Sequence, residues 1–466
     1  MEQIDILFPV ETIVREIDYR LFLAGYFARK HRRIFVGHAP AVDRVAAETR
    51  NGVFLGKTNF HWLPNGKMIY HAQKERGHVV IHHAEEGAVF AGREPAWETE
   101  LLRVLDPKWL APEDHIATWG DFQTAFYRSS NAPCTPNIVS VGHPRFDLCL
   151  PRYADIYAAD VARLRAKFGD FVLINSNFAI ANTPLGMAGT FHKALGYDPK
   201  DPVLREQFVA MWGRIARGLP RFVELVHKLS IRRPDVNFVF RPHPSDDERY
   251  YHAVFAGIPN IHITREGPVG TSILASRVVI HDGSTSGLEA HLYGRPVVNY
   301  APERDEMAAI YLPNVVGKTV LSEEEAMSTV LDALEKKADR AFPVDIPERA
   351  LRVFHNFNGR ETFPLMLDVL ERAEAHVRSG KRKGVADTTV RAAELRAFAI
   401  EGAKRVLLHP ISPLRKRTFR EIRALFPGFD RKSIEKKLAI VRKVTGNPIQ
   451  VKHHGPKLFE ISSEKQ

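Results

Sequence analysis

Apolar and polar positions alternate in two ways along the chain, and the two patterns follow each other repeatedly. Short apolar runs, typical of strands buried in a parallel sheet, occur at residues 4–10, 33–37, 52–56, 78–82, 114–120 and 137–142. Between them lie segments with helical spacing, such as residues 18–31. A second series of apolar runs occupies residues 171–175, 237–241, 260–263, 278–280 and 297–298. The pattern predicts an α/β fold with two doubly wound, Rossmann-like units.

The two series of strands predict two domains. Residues 1–165 form the first Rossmann-like domain, and residues 166–378 form the second, which helices at 323–337 and 360–378 complete. We expect the two domains to face each other across a cleft, with ligands at the carboxyl ends of the strands. No G-x-G-x-x-G follows the first strand, which argues against a dinucleotide dehydrogenase.

The remaining residues, 379–466, differ from the rest of the chain in charge. From residue 381 onward the chain has 21 Lys and Arg but 8 Asp and Glu, whereas the residues before it have 45 and 47. The predicted elements here are helices at 389–408, 418–426 and 430–444 and strands at 449–451 and 458–461. They predict a basic linker and a small accessory α/β module with a winged-helix-like layout.

The basic charge of residues 381–466 is compatible with several partners. Contact with the anionic inner face of the cytoplasmic membrane is one, and binding of an anionic acceptor or a partner protein is another. Nucleic acid is the least favoured, although a helix, a hairpin and a basic face also form a DNA-binding layout. The alternative is a solvated basic surface without a ligand.

The composition indicates the cellular compartment in which the protein works. The chain is 44% hydrophobic, as in globular proteins, and its two cysteines, Cys134 and Cys149, suit a reducing cytoplasm better than a disulfide framework. The N-terminal segment lacks the basic start of a signal peptide, and no stretch approaches the roughly 20 apolar residues of a membrane span. We therefore expect a cytoplasmic protein whose contact with the membrane, where it has one, is peripheral.

Two adjacent carboxylates, Glu85 and Glu86, follow the fourth predicted strand and precede Gly87. Because ligands bind at the carboxyl ends of such strands, both are candidates for general acid–base or nucleophilic chemistry. The alternative is a polar turn with solvated glutamates. His143 and Arg145, which follow the sixth strand, are candidate residues of the same cleft.

A small hydroxyl-rich loop at residues 282–287 leads from a buried strand into a helix. Free backbone N–H groups and hydroxyls at such a place bind anions, although an ordinary capped connection would have the same composition. His243 is held between two prolines at the end of strand 237–241, where it either binds a phosphate or belongs to a turn without a ligand. Arg241 and Asn177, at two strand ends, are further cleft candidates.

Taken in order, Glu85-Glu86-Gly87, His243-Pro244 and Ser284-Thr285-Ser286 resemble the motifs of bacterial CMP-sugar-dependent glycosyltransferases with the GT-B fold, the sialyl-, polysialyl- and Kdo transferases. Over roughly residues 3–378 the chain resembles surface carbohydrate (surface polysaccharide) biosynthesis proteins. The resemblance implies that one of the two glutamates is the catalytic base or nucleophile. It implies that the CMP phosphate is bound by His243, Pro244, Ser284, Thr285, Ser286 and Gly287. A further GT-B-like pattern implies that Glu289 bonds a ribose or sugar hydroxyl.

The function implied by this resemblance is transfer of a sugar from a CMP-linked donor to a surface polysaccharide, such as capsule or lipopolysaccharide, or to another glycan. The sugar would be a nonulosonic acid such as Kdo or a sialic-acid-like sugar. Because CMP leaves as a monophosphate, and Asp246-Asp247 lacks the spacing of a nucleotide–metal site, we expect no obligatory metal and no further cofactor. The stereochemical outcome stays open, as does the choice between Glu85 and Glu86.

Other nucleotide-sugar proteins are alternatives. One is an enzyme resembling UDP-GlcNAc 2-epimerases, and another is a polymerase resembling CDP-glycerol glycerophosphotransferases. A third is a non-catalytic GT-B scaffold that binds a glycan or partner proteins. Preference for CMP, CDP or UDP, or for no nucleotide at all, discriminates among them.

Overall fold

The computed structural model describes residues 3–57, 59–60, 68–88, 94–184, 186–192, 197–303, 312–335, 342, 345–377, 386–392, 395 and 428–464. Its strands are β1 (Ile4–Val10), β2 (Arg32–His38), β3 (Val53–Gly56), β4 (Val79–His83), β5 (His115–Thr118), β6 (Ile138–Ser140), β7 (Phe171–Asn175), β8 (Asn237–Arg241), β9 (Ile261–Ile263), β10 (Val278–His281), β11 (Val297–Tyr300), β12 (Lys318–Val320), β13 (Ile449–Gly455) and β14 (Leu458–Ser463).

The α-helices of the same ranges are α1 (Ile13–Phe27), α2 (Ala39–Glu48), α3 (Ile69–Lys74), α4 (Glu94–Val104), α5 (Asp121–Ser129), α6 (Pro144–Asp147), α7 (Pro151–Ala154), α8 (Ala158–Phe168), α9 (Met187–Thr190), α10 (Pro202–Arg232), α11 (Glu248–Val254), α12 (Val269–Ala275), α13 (Ser286–Leu292), α14 (Glu323–Glu335), α15 (Glu348–Val353), α16 (Thr362–Ala375) and α17 (Arg431–Thr445). The chain divides into two compact units, and each is described by itself. Unit 1 contains Met1–Ala88, Glu98–Ile156 and Leu351–Gln466, and unit 2 contains Val89–Trp97 and Tyr157–Ala350.

Unit 1 is built on an eight-stranded sheet with the order β13-β14-β2-β1-β3-β4-β5-β6. Strands β1 to β6 are parallel to one another, and all seven residues of β1 are buried, as expected for a central strand covered on both faces. The chain leaves β1 for β2 on one side and returns to β3 on the other side. The sheet therefore has a topological switch point between the carboxyl ends of β1 and β3.

The C-terminal hairpin of β13 and β14 extends this sheet. β14 pairs antiparallel with β2, and Phe459 and Ile461 are fully buried there. Helix α17, capped by the Asp430 side chain, packs on α1, where Val441 lies so close to Gly25 that a Cβ at Gly25 would meet it at 2.3 Å. The structure thus differs from the predicted accessory module of residues 379–466, because its hairpin is an edge of the first sheet instead of the wing of a separate winged helix. The helix predicted at 418–426 lies outside the described residues.

Helix α16 belongs to unit 1 as well. It packs on α1 and against β4 and β5, and Asp147 accepts hydrogen bonds from the backbone of Thr362 and Phe363 at its first turn, at 2.6 and 2.8 Å. The predicted boundary at residue 378 had assigned this helix to the second domain. The amphipathic pattern is right, but the apolar face is buried in the first unit.

Unit 2 has a six-stranded, fully parallel sheet with the order β12-β11-β10-β7-β8-β9. The chain runs from β7 to β8 and β9 on one side and then returns to β10 on the other side, so its switch point lies between β7 and β10. The 31-residue helix α10 covers one face. Asp201 caps α10 by accepting hydrogen bonds from the N–H groups of Val203 and Leu204, and Phe222 of α10 packs with Phe240 in the core.

The predicted fold class is confirmed: the chain is α/β, with two units that each contain a doubly wound sheet of parallel strands. Among the described residues no helix has both the length and the apolar character needed to cross a membrane.

Candidate active site

Glu85 is a buried carboxylate at the carboxyl edge of the first sheet. It lies directly after β4, and 8% of its surface is exposed, whereas Glu86 beside it is exposed. The Tyr19 hydroxyl donates a hydrogen bond to Glu85 Oε2 at 2.9 Å. Oε1 accepts no hydrogen bond from the part of the chain that the structure describes, but it lies 3.5 Å from Arg15 Nε and 3.6 Å from Arg145 Nη1. One carboxylate oxygen is therefore fixed and the other is surrounded by cations.

The charges around Glu85 keep it ionised. Burial alone would raise its pKa, but the neighbouring His143, Arg15 and Lys57 outweigh burial and hold the pKa well below its usual range. Burial also keeps the pKa of His143 well below its usual range, although its Nε2 lies 3.5 Å from Glu85 Oε2. The two directions are linked, because only a protonated His143 lowers the pKa of Glu85 by its charge, whereas Arg15 and Lys57 favour the ionised carboxylate in either state of the His143 ring.

A second buried carboxylate, Glu16, marks the switch point of the same sheet. Its side chain is fully buried, accepts a hydrogen bond from Lys57 Nζ at 2.8 Å, and accepts another from the Thr12 N–H at 3.0 Å. Burial and the charge of Glu85 raise the pKa of Glu16 despite this contact with Lys57. Because β1 leads to Glu16 and β3 leads to Lys57, the pair joins the two strands between which ligands bind in such sheets.

Aromatic rings hold the residues around Glu85 in place. The His143 ring stacks on His83 at 4.7 Å and packs edge-on against Tyr19 at 5.2 Å between ring centroids. Trp119 donates from its indole N–H to the Ala84 carbonyl at 2.7 Å. A Cβ at Gly87 would lie 2.4 Å from the Trp119 ring, so this contact explains the glycine of the Glu-Glu-Gly motif.

In unit 2 the switch point carries the Ser/Thr loop, residues 283–286. Asn175, the last residue of β7, donates to Ser286 Oγ at 2.9 Å, and the Ser284 and Ser286 hydroxyls share a hydrogen bond of 2.8 Å. Asn177 donates to the Gly283 carbonyl at 3.2 Å. Thr285 is the N-cap of α13 but makes no side-chain cap hydrogen bond. The hydroxyls thus converge at the place where this type of sheet binds ligands.

A buried histidine supports the Ser/Thr loop from below. His281, the last residue of β10, is fully buried and accepts a hydrogen bond from the Ser284 N–H at its Nδ1 at 3.1 Å. Burial lowers the pKa of His281 to about 3, so the ring is neutral. A Cβ at Gly287 would lie 2.3 Å from His281 Nε2, and therefore only glycine fits where α13 crosses the ring.

The His-Pro motif lies beside the same loop. The His243 N–H donates to Ser176 Oγ at 3.0 Å, and Ser176 in turn donates to the buried Asp246 carboxylate at 2.6 Å. Arg265 donates to the His243 and Asp246 carbonyls at 2.8 and 2.7 Å. Since Ser176 follows Asn175, which holds Ser286, the His243 turn and the Ser/Thr loop are joined through the end of β7.

Two further predicted residues have different surroundings. Arg241 donates to the Glu266 carbonyl at 2.9 Å and also to that of Gly267, so its guanidinium bonds the loop after β9. Burial and the neighbouring Arg265 lower the pKa of Arg241 to about 10. Glu289 is buried in α13, and its charge acts on Arg241 in the opposite sense.

The structure brings the predicted residues together in two groups, one in each unit. Unit 1 places Glu85, His143 and Arg145 together, and leaves Glu86 exposed with an ion pair to Arg15. Unit 2 joins Asn177 directly to the Ser/Thr loop. His243 is connected to that loop through the end of β7, as described above. Pro244 is exposed, and Gly287 fits against His281.

Several residues of these sites were not predicted. Tyr19, Arg15 and Glu16 lie in the first two turns of α1, which begins at Ile13, whereas the helical spacing of the sequence predicted a start at residue 18. The signal that could have revealed them is the position of α1 directly after the central strand. In unit 2 the missed residues are Asn175, Ser176, Asp246, Arg265 and His281.

One group of described residues has the spacing of metal ligands. Asp387, His454 and Glu460 each offer a ligand atom within 4.8 Å of the others, at the hairpin edge of the first sheet. His454 Nε2 already bonds Glu460 at 2.9 Å, and Lys452 forms an ion pair with Asp387. The group is therefore neutralised by the protein itself.

No protein-family model and no curated protein match the chain. The structure is similar to UDP-N-acetylglucosamine 2-epimerase from Rickettsia bellii, with a TM-score of 0.43 and 11% identity, covering 82% of this chain and 99% of that one. It is also similar to the Methanocaldococcus jannaschii UDP-GlcNAc 2-epimerase in complex with UDP-GlcNAc and UDP, with a TM-score of 0.41 and 12% identity, covering 77% of this chain and 100% of that one. For the H548A form of the wall teichoic acid polymerase TagF, the TM-score is 0.40 and the identity 13%, covering 69% of this chain and 73% of that one.

Proposed function

We propose that the chain is a glycosyltransferase that moves a sugar from a CMP-linked donor to a carbohydrate acceptor, with Glu85 as the reactive carboxylate. The observation that carries the proposal is the environment of Glu85: it is buried, it is bonded to Tyr19 at one oxygen, and its other oxygen lies near Arg15 and Arg145 without a hydrogen bond from the described residues. A buried charge of this kind is costly unless it has a function or a complete set of partners. Glu86, exposed to solvent, lacks these features.

The role of Glu85 follows from its ionisation. A general base must be deprotonated to accept the proton of an acceptor hydroxyl, and a nucleophile must be deprotonated to attack the anomeric carbon. As base, Glu85 would give inversion of the sugar's configuration; as nucleophile, it would give a glycosyl-enzyme and retention. Both routes need the same ionised carboxylate, and product stereochemistry distinguishes them.

We assign binding of the CMP phosphate to the Ser/Thr loop and His243. The hydroxyls of Ser284, Thr285 and Ser286 are donors, and the loop's backbone N–H groups add to them. These groups would stabilise the negative charge that grows on the phosphate as the glycosidic bond breaks. Glu289 would bond a ribose hydroxyl. The proposed step uses protein groups alone to bind the phosphate.

Calorimetric titration with CMP, CDP and UDP tests the proposal. We expect CMP to bind best and His243→Ala to weaken it by roughly 10- to 150-fold, the loss of one charge-assisted contact of about 1.5–3 kcal/mol. His252→Ala, an exposed histidine of α11, is the matched control and should bind CMP like the wild type. Preference for UDP would favour an enzyme like the 2-epimerases, preference for CDP an enzyme like the CDP-glycerol polymerases, and no nucleotide binding a scaffold.

For the basic C-terminal region we propose contact with anionic lipid. Helix α17 docks through Ile434, Leu438 and Val441 and through the ion pair of Lys437 with Asp18. Its exposed side carries Arg431, Lys432, Lys436 and Lys443. Such a face binds anionic membranes electrostatically. The protein should sediment with phosphatidylglycerol vesicles at low salt but not at high salt. Binding that is independent of salt concentration, or equally strong with neutral vesicles, would contradict the proposal.

A further inference from the structure

Each unit contains a turn in which a histidine is followed by proline, and the two turns are built alike. In unit 1 the histidine is His143, which follows β6, and in unit 2 it is His243, which follows β8. In each turn the ring Nδ1 accepts a hydrogen bond from the backbone N–H two residues later, that of Arg145 at 3.1 Å and that of Ser245 at 3.2 Å. His243 is assigned to the phosphate in the proposed function, whereas His143 has no role in it.

A polar side chain and a buried carboxylate support each of these histidines from the backbone side. The His143 N–H donates to Asn356 Oδ1 at 2.8 Å, and Asn356 Nδ2 donates to Asp147 Oδ1 at 3.1 Å. His243 has partners in the same order, a side-chain hydroxyl and then a buried carboxylate. Because every member of these chains of hydrogen bonds has a partner, each histidine is fixed in one position.

The hydrogen bond at Nδ1 decides where His143 carries its proton. A ring nitrogen that accepts a hydrogen bond has no proton, so the ring is neutral and its single N–H is at Nε2. Burial favours the same neutral state, because it keeps the pKa of His143 well below its usual range. The ring stacks on His83, whose own Nε2 bonds the Gly142 carbonyl at 3.0 Å, and this contact holds the plane of the His143 ring.

The Nε2 atom of His143 lies beside the reactive carboxylate. It is 3.5 Å from Glu85 Oε2, the oxygen that also accepts the hydrogen bond of Tyr19. His143 is fully buried, and its Nε2 has no hydrogen-bond partner in the part of the chain that the structure describes. A buried donor without an acceptor costs free energy, and long contacts of this kind in active sites commonly shorten when the substrate binds. Glu85 is thus an acceptor that this donor reaches by a small movement.

We propose that His143 is a positioning residue whose Nε2–H donates to Glu85 Oε2 and, together with the Tyr19 hydroxyl, holds the carboxylate so that Oε1 is left for the reaction. The inference rests on the proposed function and adds a second donor to its reactive group. The chain would then use the same turn twice, once to bind a phosphate and once to hold a carboxylate. In both places the anion meets the Nε2–H of a histidine whose Nδ1 is bonded within its own turn.

Two substitutions of His143 separate this role from a purely structural one. His143→Gln keeps an N–H near the position of Nε2 but loses the acceptor of the turn, whereas His143→Asn keeps the acceptor and loses the donor. We expect kcat/KM for sugar transfer to fall by about 10- to 150-fold in His143→Asn, as for one lost hydrogen bond to a charged group, and by no more than about fivefold in His143→Gln. His78, at the opposite end of β4 from Glu85, is equally buried, and His78→Gln should leave kcat/KM unchanged.

NMR of protein with isotope-labelled histidine tests the contact without any transfer activity. The signal that is absent in His143→Gln identifies the ring. We expect its proton on Nε2 at neutral pH, and we expect the Nε2–H resonance to move in Glu85→Gln because the charge of the neighbouring carboxylate is lost. The His78 resonance should not move in Glu85→Gln. A proton on Nδ1, or an Nε2–H resonance that Glu85→Gln leaves in place, would overturn the inference.

The kinetic results separate the inference from the proposed function. Full activity of His143→Asn, or equal losses in the two His143 variants, would overturn the positioning role and leave the assignment of Glu85 intact. A wild-type protein without transfer activity would contradict the proposed function, and the NMR measurement would still decide whether His143 donates to Glu85.

Discussion

The Tyr19 hydroxyl donates a 2.9 Å hydrogen bond to Glu85 Oε2, and both side chains are buried. Burial raises the pKa of Tyr19 well above its usual value, so the phenol is protonated and a donor at neutral pH. The bond fixes one oxygen of the carboxylate and orients the other. Helix α1, which follows the central strand of unit 1, thereby determines how the end of β4 presents its carboxylate.

Substitution of Glu85 should abolish transfer, whereas substitution of Glu86 should not. Glu85→Gln retains the shape of the side chain but removes the charge, and we expect sugar transfer to fall by about 10²–10⁴-fold, the range for loss of a general base. Glu86→Gln should remain within a few-fold of the wild type because this side chain is exposed. Initial rates with a CMP-linked donor measure the effect. Comparable activity of the two variants would refute the assignment.

Removal of the Tyr19 hydroxyl should move the acidic limb of the pH–rate profile. The pKa of Glu85 is held low, so activity should persist at neutral pH and fall as the pH drops through that pKa. Tyr19→Phe removes a donor to the charged form, which raises the pKa of Glu85 and moves the limb to higher pH. Profiles of kcat/KM for both proteins test this. An unchanged limb would mean that Tyr19 only fills space.

Alanine at Gly287 should destabilise unit 2 through a contact with His281. A Cβ would lie 2.3 Å from His281 Nε2, and overpacking of this kind costs about 1–3 kcal/mol. Removing the ring in the double variant His281→Ala/Gly287→Ala should recover part of the lost free energy of unfolding. A double-mutant cycle by urea unfolding measures this recovery. If the two substitutions were simply additive, the proposed clash would not be the cause.

The stability contributed by His281 should depend on pH. Its pKa is lowered from 6.5 to about 3, so above pH 6.5 the ring is neutral in the folded and unfolded states alike. As the pH falls below 6.5, only the unfolded chain gains the proton, and stability is lost at about 1.4 kcal/mol per pH unit until the folded pKa is reached. Between pH 7.5 and 5, the wild type should therefore lose about 2 kcal/mol more than His281→Gln in urea unfolding. Equal losses would contradict a neutral buried His281.

The C-terminal hairpin should contribute to the stability of unit 1. Ile461 in β14 is fully buried against β2, and Ile461→Ala should cost about 2–5 kcal/mol. Leu395 is 68% exposed, and Leu395→Ala should leave the free energy of unfolding unchanged within about 0.5 kcal/mol. Thermal unfolding of the two variants makes the comparison. A harmless Ile461→Ala would mean that the hairpin does not share the cooperative core.

The periodicity of the chain predicted most strands and their order of appearance. It did so because a parallel strand that is buried on both faces consists mainly of consecutive apolar residues, as in β1 and β7. Pairing partners are not encoded in this way. The residues of β14 could be recognised as a strand, but its position beside β2 depends on which edge of which sheet remains open. In the same way, the apolar face of α16 shows that it is buried, not where.

The residues of the candidate site likewise fall into some that the sequence could predict and some that it could not. Glu85, His143 and Ser284 stand at strand ends, where the α/β fold places ligands, so they could be predicted from their positions. Glu16 and Tyr19 lie inside a helix, and their role arises only when α1 crosses the ends of other strands. The choice of Glu85 over Glu86 depends on which of the two side chains is buried. Because they are adjacent and identical, the sequence does not show this.

The arrangement of the first sheet has a consequence for biosynthesis. β1 and β2 emerge from the ribosome early, but their edge partner β14 is separated from them in sequence by the whole of unit 2. Until β14 is made, the edge of β2 exposes unpaired N–H and C=O groups, which are a template for association with other chains. Unit 2, whose six strands are nearly contiguous in sequence, can close first. During synthesis the nascent first unit would therefore be the part of the chain that most needs protection by chaperones.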